Sequence, residues 1–214
     1  MKVKYKKYWR KSGLKGKWGD LFLELVAKRK PKTFLEIGVF CGVTARNVCE
    51  LLNQINQSEF KYIGIDLFGE KSKNQALEKA PEYLKDQKFS NPLKSFFYNF
   101  LLRENLNSYQ SVSNFLRKFE KQVKLIKGDT NIVLKNEDLK NVDYAFIDGG
   151  HSYETVKNDL NTLFSNMDKN KILLCDDYFH TKYITEVRKA VDDFVKQHNL
   201  QFNIIENRFA EIIT

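Results

Sequence analysis

The stretch DYAFIDGGHSYETVKNDL, residues 143–160, joins three kinds of sequence. Residues 143–148 form an apolar run that ends on Asp148, and Gly149, Gly150 and His151 follow at once. Beyond them Val156, Leu160, Leu163 and Phe164 recur at i, i+4, i+7 and i+8. The run is apolar on successive residues, as in a strand covered on both faces. The later spacing gathers apolar side chains on one face of a helix. Strand, glycine turn and helix make up the repeating unit of α/β sheets.

The same unit recurs along the chain. TFLEIG (33–38), YIGID (62–66), VKLIKGD (123–129) and KILLCDD (171–177) also read as strands. Val43, Val48, Cys49, Leu51 and Leu52 make a buried helical face over 43–52, and Ile184, Val187, Val191 and Phe194 make another over 183–196. Leu21, Phe22, Leu25 and Val26 suggest a helix leading into the first strand. QFNIIENRFAEIIT (201–214) reads as two strands around a tight turn at Glu206–Arg208. The expected fold is α/β: a doubly wound, mostly parallel seven-stranded sheet closed by a C-terminal antiparallel hairpin.

The chain has 214 residues, enough for one well-buried domain, and it lacks repeats and Pro/Gly linkers. We expect a single domain over 1–214, with a basic N-terminal arm and helix over 1–30. Residues 68–121 exceed what a crossover needs. Val112, Phe115, Leu116 and Phe119 in that segment have helical spacing, so it reads as a helical insertion. It serves either as a lid or substrate wall, or as packing or a homo-oligomer contact.

The formal net charge is +9. Scattered lysines suit a solvated surface, whereas the Lys- and Arg-rich N-terminus could meet an acidic partner. No apolar run is long enough for a membrane span, and the N-terminus lacks the apolar core of a secretory signal. Cys41, Cys49 and Cys175 form no CxxC pair, which fits a reducing, cytoplasmic setting.

Acids and glycines punctuate the strand ends. Glu36, Gly38 and Gly42 lie in an ExGxxxG turn between strand and helix, where glycine lets backbone approach a ligand. Asp66 ends the next strand, where a carboxylate can accept from both hydroxyls of a ribose. Asp129 ends the third strand and either accepts from an exocyclic amine such as that of adenine or caps the following helix. Asp148, Asp176 and Asp177 end the fourth and fifth strands. Three converging carboxylates need a cation or protons, and oxygen ligands suit Mg²⁺; the alternative is that Asp148 or Asp177 only caps a turn.

In this order, ExGxxxG, the acidic second strand, GD, FIDGGHSYETVKNDL and ILLCDDY resemble a class I S-adenosylmethionine-dependent methyltransferase. IDGGHSYE and DDY look like the group holding the macrocin- and mycinamicin-type sugar O-methyltransferases and cephalosporin hydroxylase-like proteins. The resemblance runs from about residue 12 to the end, with 68–121 poorly matched. It implies that Glu36, Gly38 and Gly42 belong to the loop around the methionine part of S-adenosylmethionine. It further implies Asp66 at the ribose, Asp129 near the adenine amine, and Asp148, Asp176 and Asp177 as Mg²⁺ ligands. Many relatives carry a lysine base where this chain has His151.

The expected activity is transfer of a methyl group to a hydroxyl of a small molecule or sugar. His151 is the expected general base, since an imidazole titrates near neutral pH, with Asp148 as base if no metal binds. His151 could equally shape the glycine turn. His180, Tyr153 and Tyr178 either line the pocket or serve as surface and packing residues, and His198 is expected to carry no chemistry. Two alternatives stand beside this reading: an RNA ribose methyltransferase, and a non-catalytic module that binds nucleic acid or another polyanion. Base N-methylation is disfavoured, because the usual Asn/Asp-Pro-Pro-Tyr/Phe element is replaced by Asp-Gly-Gly-His.

Overall fold

The computed structural model describes residues 4–70, 93, 105–179 and 185–214. The parallel strands are β1 (Thr33–Ile37), β2 (Lys61–Asp66), β3 (Val123–Lys127), β4 (Tyr144–Ile147) and β5 (Ile172–Cys175). β6 (Phe202–Ile205) and β7 (Phe209–Ile213) form the antiparallel hairpin, with β7 paired to β5. The seven strands lie in the order β3-β2-β1-β4-β5-β7-β6, the expected doubly wound arrangement. The winding reverses between β1 and β4, and that is where such sheets open a crevice at their carboxyl ends.

The helices are α1 (Gly16–Arg29), α2 (Val43–Asn56), α3 (Tyr109–Leu116), α4 (Thr130–Val133), α5 (Tyr153–Asn166) and α6 (Thr185–His198). Strand alternation divides the core in two. Phe34, Tyr62, Tyr144, Phe146 and Leu174 pack with Phe22 of α1, Val48 of α2 and Val112 of α3. Leu35, Ala145, Ile147, Leu173 and Cys175 face the other way, onto Leu160 of α5 and Val191 and Phe194 of α6. All of β1, β4 and β5 are buried, which explains the unbroken apolar runs of β4 and β5; in β1 the run is interrupted by the buried Glu36. Truncating a side chain such as Leu35 to Ala costs about 2–5 kcal/mol. β3 lies at the sheet edge and is only partly covered, so it tolerates the exposed Lys124 and Lys127.

The N-terminal segment is strapped to the domain. The backbone N–H of Tyr5 donates to Asp20 Oδ1 at 2.6 Å, and the Tyr5 hydroxyl lies 2.8 Å from both Ser12 and Thr44 hydroxyls. Lys6 and Asn47 exchange two hydrogen bonds, at 2.8 and 2.9 Å. Arg10 donates to the carbonyls of Cys41 and Leu106 and to Ser111 Oγ, each at 2.8 Å. Lys6 and Arg10 thus have specific partners on or beside α2 and α3.

Within 68–121, α3 and the following turn Arg117–Phe119 bury Val112, Leu116 and Phe119, the spacing seen in the sequence. Residues 71–92 and 94–104 of the expected insertion lie outside the described residues, as does His180. Among the described residues no helix is long and apolar enough to cross a membrane.

Candidate functional site

A cleft of about 460 Å³ opens at the carboxyl ends of the strands. One end is lined by Gly38, Val39, Phe40, Val43, Thr44 and Asp66, and the other by Asp148, Gly149, His151, Asp176, Asp177 and Arg208. The strap supplies the remaining wall through Lys11, Ser12, Gly13 and Lys15.

The loop after β1 is where backbone approach is closest. Gly38 has φ 91°, and a Cβ there would lie 2.0 Å from the Asp148 carbonyl oxygen. Both the conformation and the space therefore require glycine. Gly38 N–H donates to Ile65 O and Asp148 N–H to Ile37 O, each at 2.9 Å, so the loops after β1, β2 and β4 are tied together. Gly42, φ 75°, stands at the N-cap of α2.

Asp66 lines the cleft and receives two backbone donors: Phe40 N–H on Oδ2 at 2.7 Å and Phe68 N–H on Oδ1 at 2.6 Å. Burial raises its pKa, and these amides oppose the rise. Each oxygen keeps further acceptor capacity. Glu36 is buried beneath the loop rather than in the lining, and Tyr62 donates its hydroxyl to Glu36 Oε2. Burial pushes its carboxyl up to about 8, with Tyr62 opposing and Asp66 adding to the rise. Glu36 thus supports the motif from below. Asp129 caps α4: its Oδ1 accepts from Asn131 N–H at 3.0 Å and from Asn131 Nδ2 at 2.8 Å. It is not in the cleft lining. The geometry displays its capping role.

At the acidic end the three aspartates have different surroundings. Burial, then the charges of Asp176 and Asp177, holds Asp148 well above the usual carboxylate range. Asp176 is also raised by burial, but Arg208 counters this with a two-point ion pair at 2.6 and 2.7 Å. Burial works against the Arg208 charge, yet the pair with Asp176 keeps its pKa above the ordinary value. Asp177 has a left-handed backbone, φ 57°, and its Oδ2 lies 3.2 Å from His151 Nε2.

The sequence grouping of Asp148, Asp176 and Asp177 is therefore only partly matched by geometry. One ligand atom each from Asp148, His151 and Asp177 lies within 4.8 Å of the others, close enough to hold a metal ion, whereas Asp176 faces the guanidinium. Two carboxylates and an imidazole fit a divalent cation.

Several other candidates prove structural. Tyr153 donates to Asp193 and Tyr178 to Asp192, and neither lines the cleft. His198 pairs with Asn161 and packs on Phe164 and Phe194. Sequence reasoning missed Arg208 and the strap residues. The signal for Arg208 was its place in the hairpin turn: β5–β7 pairing matches Cys175 with Ala210, so Asp177 and Arg208 come level two residues farther on. The strap carried no comparable signal, since its hydrogen bonds span long sequence separations.

Solved structures share this fold. The O-methyltransferase NovP aligns with TM-score 0.65 and 15% identity, covering 92% of this chain and 80% of its own. The calicheamicin methyltransferase CalS11 aligns at 0.61 and 17%, covering 90% and 77%. The methyltransferase PaMTH1 of Podospora anserina, solved with S-adenosylhomocysteine (SAH), aligns at 0.60 and 15%, covering 94% and 79%. No curated protein matches the sequence. A family model described as a methyltransferase domain matches residues 35–178, which run from β1 past the acidic end of β5. The chain belongs to that family, and is a methyltransferase dependent on S-adenosylmethionine.

Proposed function

We propose that the protein transfers a methyl group from S-adenosylmethionine to a hydroxyl oxygen of a small molecule or sugar. The observation that carries this reading is the single cleft that joins Asp66 and the Gly38 loop at one end to His151 and the acids at the other. The tight backbone at Gly38 fits close approach by a ligand. The solved neighbours named as O-methyltransferases, including a TDP-rhamnose 3'-O-methyltransferase, support the oxygen-directed part.

Methyl transfer from a sulfonium is an in-line displacement, so the acceptor oxygen must be aligned with the methyl group and lose its proton. Asp66 holds the ribose hydroxyls, and the Gly38–Gly42 loop packs along the amino-acid part. His151 accepts the acceptor's proton. With Nε2–H donated to Asp177, the lone pair sits on Nδ1, and the carboxylate stabilises the imidazolium that forms. Of the three groups close enough to hold a metal, Asp148 and Asp177 would bind a divalent cation, expected to be Mg²⁺, with His151 beside them left for the proton. When bound, that cation polarises the acceptor oxygen and lowers its pKa. A Cβ at Gly149 would lie 2.7 Å from Ile37 Cγ2, so glycine there lets the loop after β4 pack against β1.

The nucleic-acid alternatives rest on an exposed basic arm. Lys4, Lys6 and Lys7 stay exposed, but Arg10 is paired with backbone carbonyls and Lys11 and Lys15 line the cleft, which favours a small acceptor. The test is a methyl-transfer screen over sugars, catechols and RNA, with Mg²⁺ or EDTA. Transfer to a small hydroxyl acceptor is expected; transfer confined to RNA would refute the proposal.

A further inference from the structure

The acids at the ends of β4 and β5 are not equivalent. Asp176 is 3% exposed, and both its oxygens receive Arg208. Oδ1 also accepts the backbone N–H of Asp177 at 2.8 Å. Arg208 is itself held in place. Its N–H donates to Ile205 O at 3.0 Å and its carbonyl accepts Tyr178 N–H at 2.9 Å. Its guanidinium lies 5.5 Å from the Trp18 ring and 5.6 Å from that of Phe209. Parting a buried bidentate pair strands a charge away from water, which is costly. Asp176 also lies outside the set of Asp148, His151 and Asp177 ligand atoms within 4.8 Å of one another, and a cation at the remaining lone pair of its Oδ2 would sit against the guanidinium charge. Asp177 is less committed to Arg208, with Oδ1 at 3.9 Å from Nη2.

We infer that Arg208 is the resident counter-ion of the acidic cluster: it withdraws Asp176 from divalent-cation binding, leaves Asp148 and Asp177 as the ligating carboxylates, and holds the cluster's cation affinity down. Ionised, the three carboxylates and the guanidinium leave two net negative charges, which one divalent cation balances. Loss of the guanidinium adds a negative charge within reach of the ion and frees a further carboxylate. This inference rests on reading the cluster as a cation site, and does not depend on methyl transfer.

Mn²⁺ binding to the purified 214-residue chain, followed by electron paramagnetic resonance without cofactor or acceptor, tests it. The parent should bind one Mn²⁺ weakly, and Asp148→Asn should lose it. Arg208→Met should bind Mn²⁺ tighter by about tenfold or more, because an opposing charge has been removed at short range. Arg208→Lys keeps the charge but gives up the two-point hold, so it should tighten binding less; it also serves if Arg208→Met fails to fold. Unchanged or weaker Mn²⁺ affinity in the folded Arg208 variants would overturn the inference. So would parent-like affinity in Asp148→Asn, or no Mn²⁺ binding by any variant. Titrating S-adenosylmethionine into the same samples separates this failure from failure of the methyltransferase reading.

Discussion

Gly38 and Asp148 stand back to back across the β1–β4 seam, so close that a single added Cβ at Gly38 would lie 2.0 Å from the Asp148 carbonyl oxygen. One contact thus spaces the cofactor loop from the acidic end. Gly38→Ala should destabilise the fold by roughly 1–3 kcal/mol through backbone strain and abolish S-adenosylmethionine binding. Denaturant unfolding and calorimetry check the two effects. Wild-type affinity in a folded Gly38→Ala protein would refute the role given to this contact.

Glu36 makes stability depend on pH in a defined direction. Its carboxyl rises from an ordinary 4.5 to about 8 in the folded chain, chiefly through burial. Between those values the native state holds a proton that the unfolded chain has shed, so stability falls as pH rises through the window. Its contribution is full below 4.5 and lost as pH passes 8. Glu36→Gln removes this titration. Thermal melts from pH 4.5 to 8 should show a smaller decline for the variant; equal slopes would contradict the assignment.

His151 is assigned to the proton and Asp148 to the cation, and the two roles separate on substitution. His151→Ala should lower turnover by about 10²–10⁴-fold. It should leave Mn²⁺ affinity near that of the parent. Loss of Mn²⁺ binding in His151→Ala would move the imidazole from base to ligand.

The strap depends on Gly19, where a Cβ would lie 2.3 Å from the Tyr5 ring. Gly19→Ala should force Tyr5 off Thr44 and loosen residues 5–15. Limited proteolysis should then cut faster at Lys6, Lys7 and Arg10, and S-adenosylmethionine should bind more weakly. Parent-like cleavage would show that the strap does not depend on this contact.

The sheet was legible in the sequence because β1, β4 and β5 are covered on both faces, which leaves successive apolar residues, broken only by Thr33 and Glu36 in β1. The helical spacing of Val156, Leu160 and Leu163 was legible for the related reason that one helix face meets the sheet. The acids were legible as strand ends, but their roles were not. Nothing local marks Asp176 as the partner of Arg208, 32 residues away: the β5–β7 register sets Arg208 level with Asp177, and its side chain then reaches the neighbouring Asp176. Asp129 kept two readings in the sequence, since a helix cap and a ligand contact both ask for a carboxylate at a strand end. The strap was missed because its contacts, such as Lys6 to Asn47, are long-range and polar, with no periodicity to read.

Whether the cleft binds S-adenosylmethionine through Asp66 is decided by calorimetric titration of that molecule into the purified chain and its Asp66→Ala variant. The parent should bind saturably and one-to-one, and the variant should lose binding or weaken by about tenfold or more, because a ribose-binding carboxylate is removed. No binding by the folded parent, or equal binding by both proteins, would contradict this assignment.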